Sequence, residues 1–255
     1  MAEDLTSMWG NFTLTEEEEA FDEVPEEELI DIGNKGRACL VGRIMSERNI
    51  GKKTLKAKMI RSWMPTGSMV FNALGNNIFL IEFENAWDKS RVLEGRPWTF
   101  DGSLFSVLEF NGTSPPAELP FNIAYFWVRI FNLPLACMGR ATGERLGSHL
   151  GEVEEVDTNE EGVGWGKYHR VRVKLNVYKP LLHGRMLKVK DKTHWVAFQY
   201  EKIPWFCFSY GVICNAVSGC SKRNHSKVAG EKSKKEYGPW LRVSFQNRSW
   251  DNEKR

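Results

Sequence analysis

Two cysteines, Cys207 and Cys220, have the outer spacing of a C-x2-C-x4-H-x4-C metal-binding motif. The two inner positions of that motif hold Tyr210 and Asn215. A structural zinc site normally has four thiolate or imidazole ligands in a tetrahedral arrangement. We therefore interpret residues 205–220 as a degenerate zinc knuckle, in which zinc binding by Cys207 and Cys220 alone would be incomplete.

Two other interpretations of these cysteines stay open. A shifted ligand set is chemically feasible, although its spacings match no compact knuckle, and it would comprise Cys207, Cys214, Cys220 and His225. The cysteines could equally be ordinary small or buried residues. Without metal, so short a segment cannot bury a core of its own, and we expect it to be loosely folded.

Charged and apolar residues alternate along the stretch Arg170–Tyr178. Because successive strand side chains point to opposite faces, Arg170, Arg172 and Lys174 share one face of a predicted strand. Three cations on one face repel each other, so that face requires solvent, carboxylates or phosphates. Tyr178 offers a ring for base stacking at the strand end, which suits single-stranded nucleic acid.

Further candidates for nucleic-acid contact lie downstream of this strand. Lys188 and Lys190 belong to the neighbouring predicted strand, and Trp205 offers a second ring for stacking. The predicted nucleic-acid-binding residues are Arg170, Arg172, Lys174, Tyr178, Lys188, Lys190 and Trp205. The alternative is an ordinary solvated outer face of an antiparallel sheet.

The net charge of +2 conceals a strong asymmetry along the chain. Residues 1–34 carry twelve acidic residues and no Lys or Arg, which leaves 35 basic against 21 acidic residues in the remainder, a net charge of +14. A basic body with an acidic arm is typical of a polyanion binder, and also of an ordinary basic domain with a solvated leader.

Composition excludes several classes of protein. No apolar run approaches the ~20 residues that span a bilayer, so we expect no membrane partner. Five irregularly spaced cysteines do not form a disulfide framework, which favours an intracellular location, nuclear or cytoplasmic. The five histidines form no H-E-x-x-H motif, and neither a G-x-S-x-G elbow nor a Walker loop is present, so we expect no enzyme.

Hydrophobic periodicity predicts an α+β protein. In the first half the order is strand, helix, strand, strand, helix, strand, which is the ferredoxin-like order used by RNA recognition motifs. A smaller, strand-rich α+β unit follows a linker at 111–120. The predicted regions are an acidic disordered arm (1–34), an RRM-like domain (35–112), a second strand-rich unit (121–204), the degenerate knuckle (205–220) and a basic tail (221–255).

The third predicted strand, Ile78–Phe83, lacks the aromatic platform of an RNA recognition motif. Phe79, Ile81 and Phe83 share its core face, and the other face carries Ile78, Leu80 and Glu82. Base stacking in these motifs uses rings on that outer face. We therefore expect this face to be a packing surface.

Short motifs in a fixed order resemble a plant family of retroelement-derived, gag-like proteins, in which domain of unknown function 4283 precedes a CCHC zinc knuckle. The resemblance covers about residues 35–245 and rests on Trp63-Met64-Pro65, Phe79–Phe83, Gly95–Trp98, Phe126–Ile130, Leu133-Pro134, Arg170–Val173, Tyr178–Leu181, Gln199–Pro204, Phe206-Cys207 and Tyr237–Arg242. It implies nucleic-acid binding and, in complete members, zinc.

We therefore predict a non-catalytic protein that binds single-stranded nucleic acid, with RNA favoured over DNA. The alternative is a protein-interaction or self-assembly module, like a gag-type coat, that does not bind nucleic acid directly and uses the aliphatic face of Ile78 and Leu80 and the acidic arm. Self-association is part of that alternative.

Overall fold

The computed structural model describes residues 15, 20–27, 38–110, 112, 114–213 and 236–243. The chain divides into two compact units, Met1–Ile32 and Gly33–Arg255. In the first unit every described residue is exposed, including the ring of Phe21. Most of the predicted acidic arm and of the predicted basic tail lies outside the described residues.

The second unit has mixed α/β structure with two five-stranded antiparallel sheets. This agrees with the expected mixture of helices and strands. Its elements are β1 (Cys39–Ile44), α1 (Lys52–Trp63), β2 (Met69–Gly75), β3 (Ile78–Phe83), α2 (Ala86–Glu94), β4 (Trp98–Phe100), β5 (Ser103–Glu109), β6 (Ile123–Phe131), α3 (Arg140–Gly147), β7 (Glu152–Val156), β8 (His169–Asn176), β9 (Gly184–Val189) and β10 (Lys192–Tyr200).

The first sheet has the strand order β2-β3-β1-β5-β4, and two helices pack against one of its faces. Helix α1 buries Leu55, Met59 and Trp63, which recur every four residues and therefore lie on one side of the helix. Helix α2 begins at Asn85, whose side chain accepts a hydrogen bond from the backbone N–H of Asp88 at 2.8 Å. The two helices and the sheet enclose the core of this half.

The second sheet has the strand order β7-β8-β6-β10-β9, which repeats the order of the first sheet strand for strand. All strand pairs in both sheets are antiparallel. A helix follows the first strand in both halves, but the described residues between β8 and β9 contain no counterpart of α2. One side of the second core must therefore be covered by other segments.

The segment that follows β10 provides part of that cover, against our expectation that it would be loosely folded without metal. Phe206 and Ile213 pair as an isolated bridge and are each less than one tenth exposed. The backbone N–H of Cys207 donates to the carbonyl of Val212 at 2.8 Å. Apolar side chains buried in the larger core therefore hold residues 204–213.

The C-terminal described segment, residues 236–243, completes the cover. Leu241 is fully buried in the second core, and Arg242 pairs with Tyr200 through a parallel bridge. The ring of Tyr237 stacks on that of His183 with centroids 4.5 Å apart. This part of the predicted basic tail is therefore packed against the sheet.

The connection between the sheets covers part of the helix-free face of the first sheet. Phe121 forms a buried cluster with Val41 and Ile78, and Leu119 packs at its edge. Ile78 therefore lies on a packing surface, as the absence of outer-face rings on β3 predicted. In the described part of the chain, no helix is long and apolar enough to cross a membrane.

Candidate nucleic-acid interface

The three predicted cations of β8 lie on the outer face of the second sheet, beside the edge strand β7. Lys174 is directly opposite Glu152 in the pairing of the two strands, and their side chains form an ion pair at 2.7 Å. The hydrogen bond from Lys174 to Glu152 raises the pKa of the lysine. Arg172 Nε lies 3.4 Å from a carboxylate oxygen of Glu154. The carboxylates that this face requires are thus supplied by β7.

Arg170 has its own carboxylate partner at the end of β10. Its Nε and Nη2 atoms donate to the two oxygens of Glu201 at 3.0 and 2.9 Å. The guanidinium also lies over the ring of Trp127, 3.8 Å from its centroid. A bidentate pair of this kind is geometrically specific and stronger than a single neutral hydrogen bond. Arg170 is therefore held in place within the protein.

Arg172 joins the two halves of the molecule. It is 8% exposed, and its Nη2 donates to the carbonyls of Leu93 and Glu94 at 3.2 and 3.1 Å. Those carbonyls belong to the last turn of α2, where helix carbonyls lack partners within the helix. A cation is also favourable at this negative end of the helix dipole. Arg172 thus fastens α2 to the second sheet.

Other contacts join the same two regions. Arg96 follows α2, and its guanidinium lies over the ring of Tyr125, 3.6 Å from the centroid. Burial is the main cause that lowers the pKa of Arg96. Lys202 donates to the carbonyl of Gly95 at 2.9 Å. The first half of the molecule therefore lies against the β6–β8 part of the outer face.

The carboxylate partners of β8 were missed in the sequence, although a signal was present. Glu152 and Glu154 alternate with the same period of two as Arg172 and Lys174. Two neighbouring antiparallel strands with alternating charges of opposite sign favour cross-strand ion pairs. The register between β7 and β8 was needed to recognise those pairs.

The predicted residues Lys188 and Lys190 lie in a different environment, on the hairpin formed by β9 and β10. Strand β9 is the edge of the second sheet. We define the hairpin surface by the exposed side chains on these two strands and their turn. Its members are Arg185, Met186, Lys188, Lys190, Asp191, Lys192, Thr193 and Trp195.

The hairpin surface combines cations with accessible apolar groups. Trp195 pairs with Met186 across the two strands, and their exposed fractions are 49% and 58%. Thr193 lies opposite Lys188, so the lysine shares a face with the indole. Within the described residues, the four cations of the hairpin surface form no ion pair, in contrast to the three cations of β8.

The two other predicted stacking residues are exposed but lie elsewhere. Tyr178, 61% exposed, follows β8, and its backbone N–H donates to the side chain of Asn176 at 3.0 Å. Trp205, 51% exposed, lies against the β4–β5 turn, where its backbone N–H donates to the carbonyl of Gly102 at 2.8 Å. The structure therefore does not group all the predicted residues at one site.

The predicted metal ligands do not form a site among the described residues. Cys207 is half-buried with a free thiol, and Cys220 lies outside the described residues, as do Cys214 and His225 of the shifted ligand set. Across the described ranges, no group of three or more His, Cys, Asp or Glu side chains could hold a metal ion. The apolar contacts of Phe206 and Ile213 hold the described part of this segment.

Comparison with protein families finds a match in the first half of the chain. Residues 34–118 match the family described as "Domain of unknown function (DUF4283)". This region is a DUF4283 domain. The DUF4283 domain contains the whole first sheet with α1 and α2, and its matched region ends before β6. The chain matches no curated protein.

Comparison with solved structures matches the chain to that of the C. elegans NONO-1 homodimer. The similarity covers 60% of this chain and 53% of that chain, with 16% sequence identity and a TM-score of 0.24. The chain thus spans about half the length of the compared chain.

Proposed function

We propose that this protein binds single-stranded nucleic acid without catalysing a reaction, and that the hairpin surface makes the contact. The observation that carries this proposal is the set of four cations without described ion pairs on the β9–β10 hairpin, where Lys188 shares a face with the exposed indole of Trp195. Phosphate groups require cations that are not already neutralised, because affinity comes largely from released counterions. The hairpin surface meets that requirement better than the paired cations of β8.

Single strands suit this surface because their bases are available for stacking. Trp195 presents an exposed indole, and stacking of a base on an aromatic ring contributes about 1–3 kcal/mol. Met186 beside it adds a flexible, polarisable contact. In a duplex the faces of the bases are stacked on each other, so a duplex would contact only the lysines of this surface and not Trp195.

The fold supports RNA as the favoured ligand in this proposal. The neighbours β2-β3-β1-β5, with helices after β1 and β3, correspond to the ferredoxin-like arrangement of RNA recognition motifs. We propose that the DUF4283 domain is RRM-like and that the second sheet repeats its topology. Because Phe121 covers part of the usual platform in the first half, the second half is the better candidate for binding.

A plant, retroelement-derived origin with a degenerate zinc knuckle remains our interpretation of the motifs between residues 35 and 245. The matched family supports it only for residues 34–118. Zinc does not enter the proposed binding mechanism.

Replacement of Lys188, Lys190 and Lys192 by Ala tests the proposal. Fluorescence anisotropy with a labelled single-stranded RNA should show at least tenfold weaker binding and a salt dependence reduced by about 2 in log–log slope, since each phosphate contact contributes about 0.7. Trp195→Ala should weaken binding with little change in that slope.

Two matched triple variants control for charge. Lys52, Lys53 and Lys56 on α1 are replaced by Ala, which removes the same charge from another surface, and binding should fall much less. Replacement of Arg170, Arg172 and Lys174 by Ala should mainly lower stability. Unchanged RNA affinity in the hairpin variant would refute the hairpin surface, and a larger loss in the folded β8 variant would restore β8 as the binding strand.

A further inference from the structure

Strand β2 forms an open edge of the first sheet. Its neighbour in the sheet is β3, and its other side has no strand partner among the described residues. An open edge presents backbone N–H and C=O groups that can pair with a further strand. The chemistry of the edge therefore specifies a β-strand as its complement.

The residues of β2 carry none of the charges that usually protect such an edge. The sequence Met69–Gly75 contains seven residues and no Lys, Arg, Asp or Glu. The edge strand β7 contains three glutamates, and the edge strand β9 contains Arg185 and Lys188. Antiparallel pairing of either of those strands with its own copy would bring like charges together, which is unfavourable. Strand β2 has no such barrier.

Exposed apolar side chains accompany this neutral edge. Val70 and Leu74 are 48% and 44% exposed. Val70 and Asn72 pair with Glu82 and Leu80 of β3, so they lie on the face opposite the helices. On that face Ile78 is buried by Phe121, which leaves the β2 side uncovered. A strand added at β2 would bury part of this remaining apolar surface.

We propose that β2 binds β2 of a second copy of this chain, in an antiparallel pair around a two-fold axis. An isologous pair needs a self-complementary patch, and an uncharged edge strand with an exposed Val70 satisfies that condition. The register shift between Ala73 and Gly75 limits the pairing to Met69–Ala73. Five paired residues make a small interface, so the dimer is weak and depends on protein concentration.

Charge substitution at Val70 tests this pairing in the full chain. In an antiparallel pair of Met69–Ala73, the two copies of residue 70 lie on the same face within reach of long side chains. Light scattering should show wild-type mass rising toward that of a dimer with concentration. Val70→Lys and Val70→Glu should each remain monomeric, and their equimolar mixture should dimerise again.

The controls separate loss of pairing from loss of folding. Ser90→Lys, on the exposed side of α2, adds the same charge and should leave dimerisation unchanged. Circular dichroism checks the fold of each variant. Asn72→Lys is a second charge variant of β2 that should also stay monomeric, and its fold should tolerate the change because the new lysine can pair with Glu82 in its own sheet. Wild-type protein that stays monomeric at its highest soluble concentration, or a folded Val70→Lys variant that still dimerises, would overturn the proposal. Dimerisation should not change when the hairpin-surface lysines are replaced, so this test is independent of nucleic-acid binding.

Discussion

Arg170, Arg172 and Lys174 show how residues with one sequence pattern acquire different roles. Arg170 is held by Glu201, Arg172 fastens the last turn of α2, and Lys174 pairs with a glutamate of the neighbouring strand. A phosphate would have to replace those partners before it could bind. Displacement of Arg172 would in addition remove a donor from the carbonyl of Glu94, the last residue of α2.

Asp88 is a buried carboxylate that stabilises the start of α2. It is 1% exposed and accepts hydrogen bonds from the backbone N–H groups of Thr66 and Gly67 at 2.9 and 3.0 Å. Burial alone raises its pKa, but these bonds and those from the side chains of Asn85 and Thr66 lower it from 3.8 to about 2. The charged form is therefore favoured by the folded state.

The first prediction concerns the pH dependence that follows from Asp88. Because its folded pKa is below the unfolded one, the contribution of the carboxylate, about 2 kcal/mol, is complete above about pH 4 and is lost as the pH falls toward 2. Asp88→Asn should lower the free energy of unfolding by a similar amount at pH 7 and flatten this acid dependence. Urea unfolding between pH 2 and 7 measures both effects.

The exposed Glu94→Gln substitution is the matched control for that measurement. It removes one carboxylate from the same helix at its solvent-exposed end. Its stability should follow that of the wild type at each pH. An Asp88→Asn variant with wild-type stability and wild-type acid dependence would show that the hydrogen bonds to Asp88 contribute nothing net.

At the scale of elements, residues 204–213 show that a segment with the spacing of a metal site can be held by a core. Phe206 is 4% exposed and belongs to the same cluster as strands of the second sheet. We predict that Phe206→Ala lowers the free energy of unfolding by about 3 kcal/mol, as large-to-small core substitutions do. Cys207→Ser should have a much smaller effect.

Metal removal provides the contrasting measurement for this segment. A chelator should leave the melting temperature unchanged in both the wild type and Cys207→Ser, because apolar packing supplies the stability. A zinc measurement on purified protein accompanies the melts. Stoichiometric zinc that is lost in Cys207→Ser, together with a chelator-sensitive melting temperature, would contradict this account.

The elements themselves were largely predictable, because local patterns determine them. The apolar residues Leu55, Met59 and Trp63 have helical spacing in the sequence, and the structure has a helix at Lys52–Trp63. Asp-Gly is a dipeptide that favours tight turns, and Asp101 and Gly102 form the turn between β4 and β5, where both have positive φ. The alternation of charged and apolar residues placed Arg170, Arg172 and Lys174 on one face of a strand. In each case the information lies within a few residues of the element.

The chemistry of the candidate site was less predictable because it depends on contacts distant in sequence. The partners of Arg172 are 78 and 79 residues away, in the last turn of α2. Burial of Phe206 depends on the second core, where the described residues between β8 and β9 form no counterpart of α2. Lys174 forms an ion pair with Glu152, whereas Lys188 forms none with the described residues. Composition alone could not distinguish these two lysines, because both occupy polar positions of basic strands.

At the scale of the whole molecule, the two sheets have the same strand order but their free faces differ. Phe121 partly covers the helix-free face of the first sheet. The outer face of the second sheet is partly covered by α2, which Arg172 contacts, and by Arg96, which follows α2 and lies over Tyr125. Among the described residues, the hairpin surface and the edge strand β2 stay open. Nucleic-acid binding and self-association are thus proposed for different sheets.

The two sheets also share core residues, so they should unfold together. Leu104 belongs to β5 of the first sheet but is fully buried in the core cluster of the second. Ser106 of the same strand donates to the carbonyl of Ile123 at 3.3 Å.

Leu104→Ala should therefore lower the free energy of unfolding by about 2–5 kcal/mol, and the loss should appear equally in both sheets. Hydrogen exchange of amides in β1 and β8, measured across a denaturant series, should give the same reduced free energy of opening. Reduced protection confined to β1 would instead mean that the sheets unfold as independent units.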